Sequence, residues 1–111
     1  MSFRQKEYYE QVYFVTEQIP TGRISTYGAI ADYLSLGSAR MVGYALSQSN
    51  KNGLSVSAHR VVNRKGELSG RMHFGTPTMM QELLESEGVK VEEDKVVDFK
   101  ELYWHPEELD L

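Results

Sequence analysis

Residues 22–46 read GRISTYGAIADYLSLGSARMVGYAL, and the fold turns on how this stretch is divided. Ser25-Thr26 can cap a short helix whose apolar residues are Ala29, Ile30, Tyr33 and Leu34;. Leu36-Gly37 supplies a tight turn, and Ser38 can cap a second helix;. In that second helix Val42, Ala45 and Leu46 fall on one face and Arg40, Gly43, Tyr44 and Ser47 on the other;. Two helices about a glycine-containing turn form a helix-turn-helix. The preceding GRIST is a short extended piece.

Outward from this centre, Tyr8, Val12, Val15 and Ile19 recur at helical spacing, predicting an amphipathic helix that ends at Pro20;. Downstream, residues 49–53 (SNKNG) read as a loop by composition;. Val61-Val62, the turn NRKG and Glu67-Leu68 read as a short hairpin with a basic tip, like a wing;. Pro77 opens a helix with Met80, Leu83 and Leu84 inward and Gly88 closing it;. Residues 89–97 (VKVEEDKVV) read as a second small hairpin, and Tyr103 and Trp104 pin the tail to the body;. The expected fold is mainly α with small β elements, a winged-helix-like helix-turn-helix over residues 1–111.

Composition narrows the chemistry. The chain has no cysteine, which removes disulfides, zinc-thiolate sites and thiol catalysis;. His59, His73 and His105 lie 14 and 32 residues apart, matching no short metal-ligand pattern, so no metal or cofactor is expected;. No apolar run is long enough to span a bilayer, and the N-terminus, MSFRQKEYYEQ, lacks a signal-peptide layout; a cytoplasmic, membrane-free protein is expected;. The net charge of −4 conceals an asymmetry: residues 36–80 carry +5 and residues 81–111 carry −8. A basic middle section allows local phosphate binding in an acidic chain.

The stretch 56–70, VSAHRVVNRKGELSG, frames a second question. Taken alone, Ala58-His59-Arg60 offers one general base and one fixed cation beside a methyl group;. The residues alone favour the simpler reading, a buried histidine satisfied by a carboxylate, with the arginine holding the loop.

The order GRISTYGAIADYL, SARMVGYAL, SAHRVV, LSG, LLESEG resembles the C-terminal domain of O6-alkylguanine-DNA alkyltransferases, across roughly residues 3–106. That family carries Pro-Cys-His-Arg-Val at its active site and moves the alkyl group from guanine O6 onto the cysteine. Here Ser57 and Ala58 stand at the proline and cysteine positions, and FKELYWHP resembles the tail of the alkyltransferase-like subgroup. That subgroup binds alkylated guanine without repairing it and passes the lesion to nucleotide excision repair. The resemblance implies a monomeric, non-enzymatic protein that docks a helix in the minor groove of duplex DNA and flips out O6-alkylguanine.

The implied roles follow the motifs. Tyr27 matches the tyrosine that presses on the phosphate of the target nucleotide, and Arg40 the finger that replaces the extruded base. Ala39 and Gly43 let the helix sit close to DNA. Ser69 and Gly70 match the loop closing over the base. His59 and Glu87 match the pair that activates the thiol through water in active members; without a thiol they are expected to form a hydrogen-bonded pair that shapes the pocket. Arg60 braces the loop, Arg64, Lys65 and Arg71 can contact the DNA backbone, and the family's loop asparagine corresponds to Asn50 or Asn52. Ala58, smaller than cysteine, is expected to leave a roomier pocket. Two rivals remain: an alkyltransferase homologue using another acceptor, with Ser57 the nearest hydroxyl, and a winged-helix module without lesion preference. The second helix lacks a base-reading run of Arg, Asn or Gln, which argues against the latter.

Overall fold

The computed structural model describes residues 5–109; of Gln5, Lys6, Glu7, Asn50 and Lys51 it describes the backbone alone. Helix α1 (Gln5–Glu17) is followed by strand β1 (Ser25–Thr26) and the pair α2 (Tyr27–Tyr33) and α3 (Ala39–Lys51). A 3-10 turn, Ala58–Arg60, leads into β2 (Val61–Val62). After a second 3-10 turn, Arg71–His73, come α4 (Met79–Ser86), β3 (Val91–Glu92), β4 (Lys95–Val96) and α5 (Phe99–Leu102).

The helix-turn-helix forms as its sequence dictates. Thr26 caps α2, its Oγ1 accepting from the Ala29 N–H at 3.0 Å. Val42, Ala45 and Leu46 of α3 are buried against Ile30 and Ala31 of α2 and Val12 and Val15 of α1, leaving Arg40 and Tyr44 exposed. Helix α1 is also tied to α3 by polar bonds, since Tyr8 and Tyr13 donate their phenolic hydrogens to the carbonyls of Met41 and Ala45. At the start of α3 the Ser38 carbonyl, rather than a side-chain cap, accepts from the Met41 N–H at 3.2 Å.

Three expectations change. Residues 49–51 are helical, not loop: α3 runs through Lys51. Its stop is Gly53, at φ +69°, with the Leu54 N–H bonded back to the Ser49 carbonyl at 2.9 Å. That glycine-terminated closure outweighs the polar composition. Secondly, β2 does not form a hairpin with residues 67–68. It pairs in parallel with β1, Ser25 opposite Val61 and Thr26 opposite Val62. Residues 63–67 form a tight turn, in which the Asn63 side-chain oxygen accepts from the backbone of Lys65 and Glu67. The outgoing limb joins the 91–96 hairpin through Leu68 N–H to Asp94 O and Val96 N–H to Gly66 O. Thirdly, α4 begins at Met79, two residues after Pro77, and Leu83 is 37% exposed. Met80 and Leu84, one turn apart, supply the buried stripe, and Leu83 falls to its side;.

The 91–96 hairpin forms as expected, Val91 opposite Val96. The tail is pinned as expected too: Trp104 is buried, its N–H bonds to Ile24 O at 2.7 Å, and Ile24 N–H bonds to Leu102 O at 3.0 Å. Two apolar clusters result. One lies under α1, α2 and α3 and includes Ala58, Val61 and Trp104; the other joins Ile24, Val62 and Leu68 to α4 and the hairpin. Residues 58–62 run along the seam between them. No helix of the described residues is long and apolar enough to cross a membrane.

Candidate nucleic-acid interface

The outward face of α3, the start of α2 and the segment 69–73 enclose a pocket of about 450 Å³. Its wall contains Tyr27, Ala39, Arg40, Gly43, Ser69 and Gly70, six residues expected from the sequence, and also Tyr44, Ser47 and His73. Tyr44 and Ser47 were placed by helical spacing on the outward face of α3; His73 carried no motif that would have found it. The volume suits a small ligand or a single base.

Local packing sets the shape of this pocket. A Cβ at Gly70 would lie 2.6 Å from the Tyr27 hydroxyl, so the glycine is what admits that hydroxyl. A Cβ at Gly43 would meet the Tyr27 ring at 3.8 Å, ordinary contact, so the internal packing does not demand glycine there. Burial pushes the Tyr27 phenol up, partly offset by its hydrogen bond to Ser69, and the ring keeps its proton at neutral pH;. A neutral hydroxyl can approach a phosphate without charge repulsion.

Across Tyr27 and Ala39, a second concavity of about 440 Å³ is bounded by the 63–67 turn, including Arg64 and Lys65. Both cations are exposed. Arg40 and these two residues border adjoining spaces, giving the face a basic rim. Arg71 is turned aside, bonding the Leu68 carbonyl at 3.1 Å and lying 3.5 Å from Asp94.

Ala58 is buried beneath the pocket, and the recess beside it holds only about 10 Å³. That is the limit for a single water. The roominess expected from its small side chain is absent, because Leu46, Ser47, His73 and Phe74 close around it.

The other expected residues lie apart from the pocket wall. Ser57 donates its backbone N–H to Glu17 Oε1 at 3.0 Å. His59 Nε2 lies 2.6 Å from Glu87 Oε2, and with the carboxylate ionised that nitrogen is the donor;. Arg60 donates from Nε and a terminal nitrogen to the same carboxylate, at 2.8–3.1 Å, and also to the Ile19 carbonyl at 2.8 Å. The Gly22 N–H adds a fourth contact to Glu87 at 3.0 Å. Burial pushes the Glu87 carboxyl up, but the bonds from Arg60, His59 and Gly22 and the histidine's charge outweigh it, holding the group at about 2. The pairing of His59 with Glu87 and the bracing by Arg60 match expectation. Asn50 belongs to α3, but its side chain lies outside the described residues, and Asn52 is exposed beyond the helix end. Among the described residues no group of three or more His, Asp or Glu is placed to hold a metal ion.

The sequence pattern of the 6-O-methylguanine DNA methyltransferase DNA-binding domain matches residues 7–89. Alkyltransferase-like protein 1 of Schizosaccharomyces pombe is 35% identical over 108 residues, covering 93% of this chain and 99% of its own length. The chain belongs to the alkyltransferase-like group of this family. A DNA base-flipping protein of Vibrio parahaemolyticus is 34% identical over 97 residues, covering 86% of the chain and 94% of that protein. Among solved structures, S. pombe Atl1 in complex with damaged DNA containing O6-carboxymethylguanine superposes with a TM-score of 0.81 at 33% identity. It covers 94% of this alkyltransferase-like chain and 100% of its own. The mainly helical fold is thus that of the alkyltransferase C-terminal helix-turn-helix domain.

Proposed function

We propose that this protein binds O6-alkylguanine in duplex DNA, flips the damaged nucleotide into the pocket over α3, and leaves the alkyl group in place. The observation that carries the reading is the convergence of Tyr27, Ala39, Arg40, Gly43, Ser69 and Gly70 on one pocket with Ala58 beneath it. Helix α3 enters the minor groove, its small residues Ala39 and Gly43 allowing close approach. Arg40 fills the gap in the stack, where a planar cation can stack on neighbouring bases and bond their acceptors. Tyr27 supports the phosphate of the rotated nucleotide, and Ser69-Gly70 closes over the base. Extrusion costs a few kcal/mol, which these contacts offset.

Ala58 takes the position of the acceptor cysteine. A methyl side chain has no lone pair to attack the alkyl carbon, so the complex has no route to discharge and binding is the outcome. The held lesion then marks the site for nucleotide excision repair. The relative bound to O6-carboxymethylguanine DNA supports this reading. Fluorescence titration of duplexes with and without O6-methylguanine, at one salt concentration, tests it, with intact mass of the protein afterwards. Tighter binding to the lesion with unmodified protein is expected. Equal affinities refute lesion recognition, and a stoichiometric gain of a methyl group refutes the non-catalytic assignment, with Ser57 the first residue to map.

A further inference from the structure

With Ala58 at the acceptor position, the O6 substituent of a flipped guanine points toward the recess beside it. That recess of about 10 Å³ has no space for a substituent of any length. A longer group must turn into the 450 Å³ pocket or into a neighbouring cavity of about 800 Å³, whose wall includes Gln48, Leu54, Phe74 and Met79. Ser47 and His73 line all three spaces, so a turning substituent passes between them. Ser47 has its hydroxyl hydrogen engaged, donating to the Tyr44 carbonyl at 2.7 Å, and presents acceptor lone pairs;. His73 differs. It is exposed, and among the described residues neither ring nitrogen has a hydrogen-bond partner, while its backbone is fixed by N–H to Gly70 O at 3.0 Å. Arg40 borders the main pocket but neither the recess nor the larger cavity.

We propose that His73 is a specificity-determining residue, whose imidazole N–H holds a hydrogen-bond-accepting or anionic O6 substituent as it leaves the Ala58 recess. The proposal rests on the lesion-binding reading and adds to it the chemical class of adduct that this chain favours. A carboxylate on the substituent receives the free donor; a methyl group offers nothing to bond. The selectivity is therefore for substituent chemistry, over and above recognition of the flipped base.

The test measures the affinities of wild-type protein, His73→Ala and His73→Gln for three duplexes carrying guanine, O6-methylguanine or O6-carboxymethylguanine. His73→Ala should weaken the carboxymethyl complex about tenfold more than the methyl complex, the loss of one charged hydrogen bond. His73→Gln, which keeps a donor, should restore most of the loss. An unchanged ratio of carboxymethyl to methyl affinity in His73→Ala overturns the proposal, as does His73→Gln behaving like His73→Ala. Wild-type protein that prefers O6-methylguanine over guanine but loses both adducts equally on substitution overturns this proposal alone. Wild-type protein that binds guanine and O6-methylguanine duplexes alike overturns the lesion-binding reading, and this proposal with it.

Discussion

Replacing Glu87 with glutamine keeps the size of the side chain and removes its charge from beneath Arg60 and His59. In the folded protein the carboxyl sits at about 2 against an ordinary 4.5. At about 1.4 kcal/mol per unit this amounts to about 3 kcal/mol of stability at pH 7. The three side chains are only 11–13% exposed, so solvent does little to screen the interaction;. Because the folded value lies below the unfolded one, the contribution is complete above pH 4.5 and fades as the pH falls toward 2. At pH 3 less than half of it remains by the same linkage. Urea unfolding of wild-type protein and Glu87→Gln at pH 7 and pH 3 reads this directly. The gap in stability should shrink by about 2 kcal/mol between the two pH values. A gap that stays constant would show that Glu87 acts through packing and not through its charge.

Arg40→Ala should weaken lesion binding by about 1–3 kcal/mol while changing the salt slope by only about one contact, since it removes a plug as well as a charge; unchanged lesion preference in a salt-dependent titration excludes Arg40 as the finger. Neutralising Arg64 and Lys65 together should lower affinity for damaged and undamaged duplexes by similar factors, as backbone contacts carry no base information, and a loss confined to lesion DNA would put the 63–67 turn in the pocket. Gly70→Ala should weaken lesion binding by displacing the Tyr27 hydroxyl, 2.6 Å from the new Cβ. Adding Tyr27→Phe should relieve that clash, so the double variant should bind no worse than Tyr27→Phe alone. Ala58→Cys should retain lesion binding with slow or no alkyl transfer, because Ser57 stands where the family has a rigid proline; intact-mass kinetics at the rate of a true alkyltransferase would refute this.

The helix-turn-helix was readable because its signals are local. Thr26 caps, and Val42, Ala45 and Leu46 repeat at helical spacing within one short stretch, although the left-handed turn residue between the helices is Ser35, at φ +57°, and not Gly37. The pocket wall was readable in six positions because STYG, SARMVG and LSG are contiguous motifs. What escaped depends on distant partners. Nothing near Val61-Val62 announces a parallel pairing with residues 25–26, some 36 positions earlier, so the local turn NRKG suggested a hairpin. Residues 49–53 are polar enough to read as a loop, whereas Gly53 sets where α3 ends. His73 reaches the pocket through the backbone course of residues 68–74, and no spacing rule connects it to Ser47 or Ala58. The closed recess at Ala58 likewise belongs to Leu46 and Phe74, neighbours that no motif names.

The polar frame beside Ala58 has a structural role of its own. Glu87 gathers the Gly22 N–H, His59 and Arg60, and Arg60 reaches on to the Ile19 carbonyl and to Thr21 Oγ1 at 3.1 Å. These contacts join the end of α1, the 21–22 turn, the 58–60 turn and the end of α4 across the seam between the two apolar clusters. Removing the carboxylate would leave Arg60 and His59 without their shared acceptor, uncovering two buried donors in a small domain of modest stability;. The Ala58 methyl, by contrast, is enclosed by Leu46 and Phe74 with only about 10 Å³ of space left beside it. The Ala58 side chain takes no part in that hydrogen-bond network, and dismantling the network would loosen the fold. The two parts are structurally distinct: the Glu87 cluster ties the elements together, and the Ala58 side chain faces the small recess.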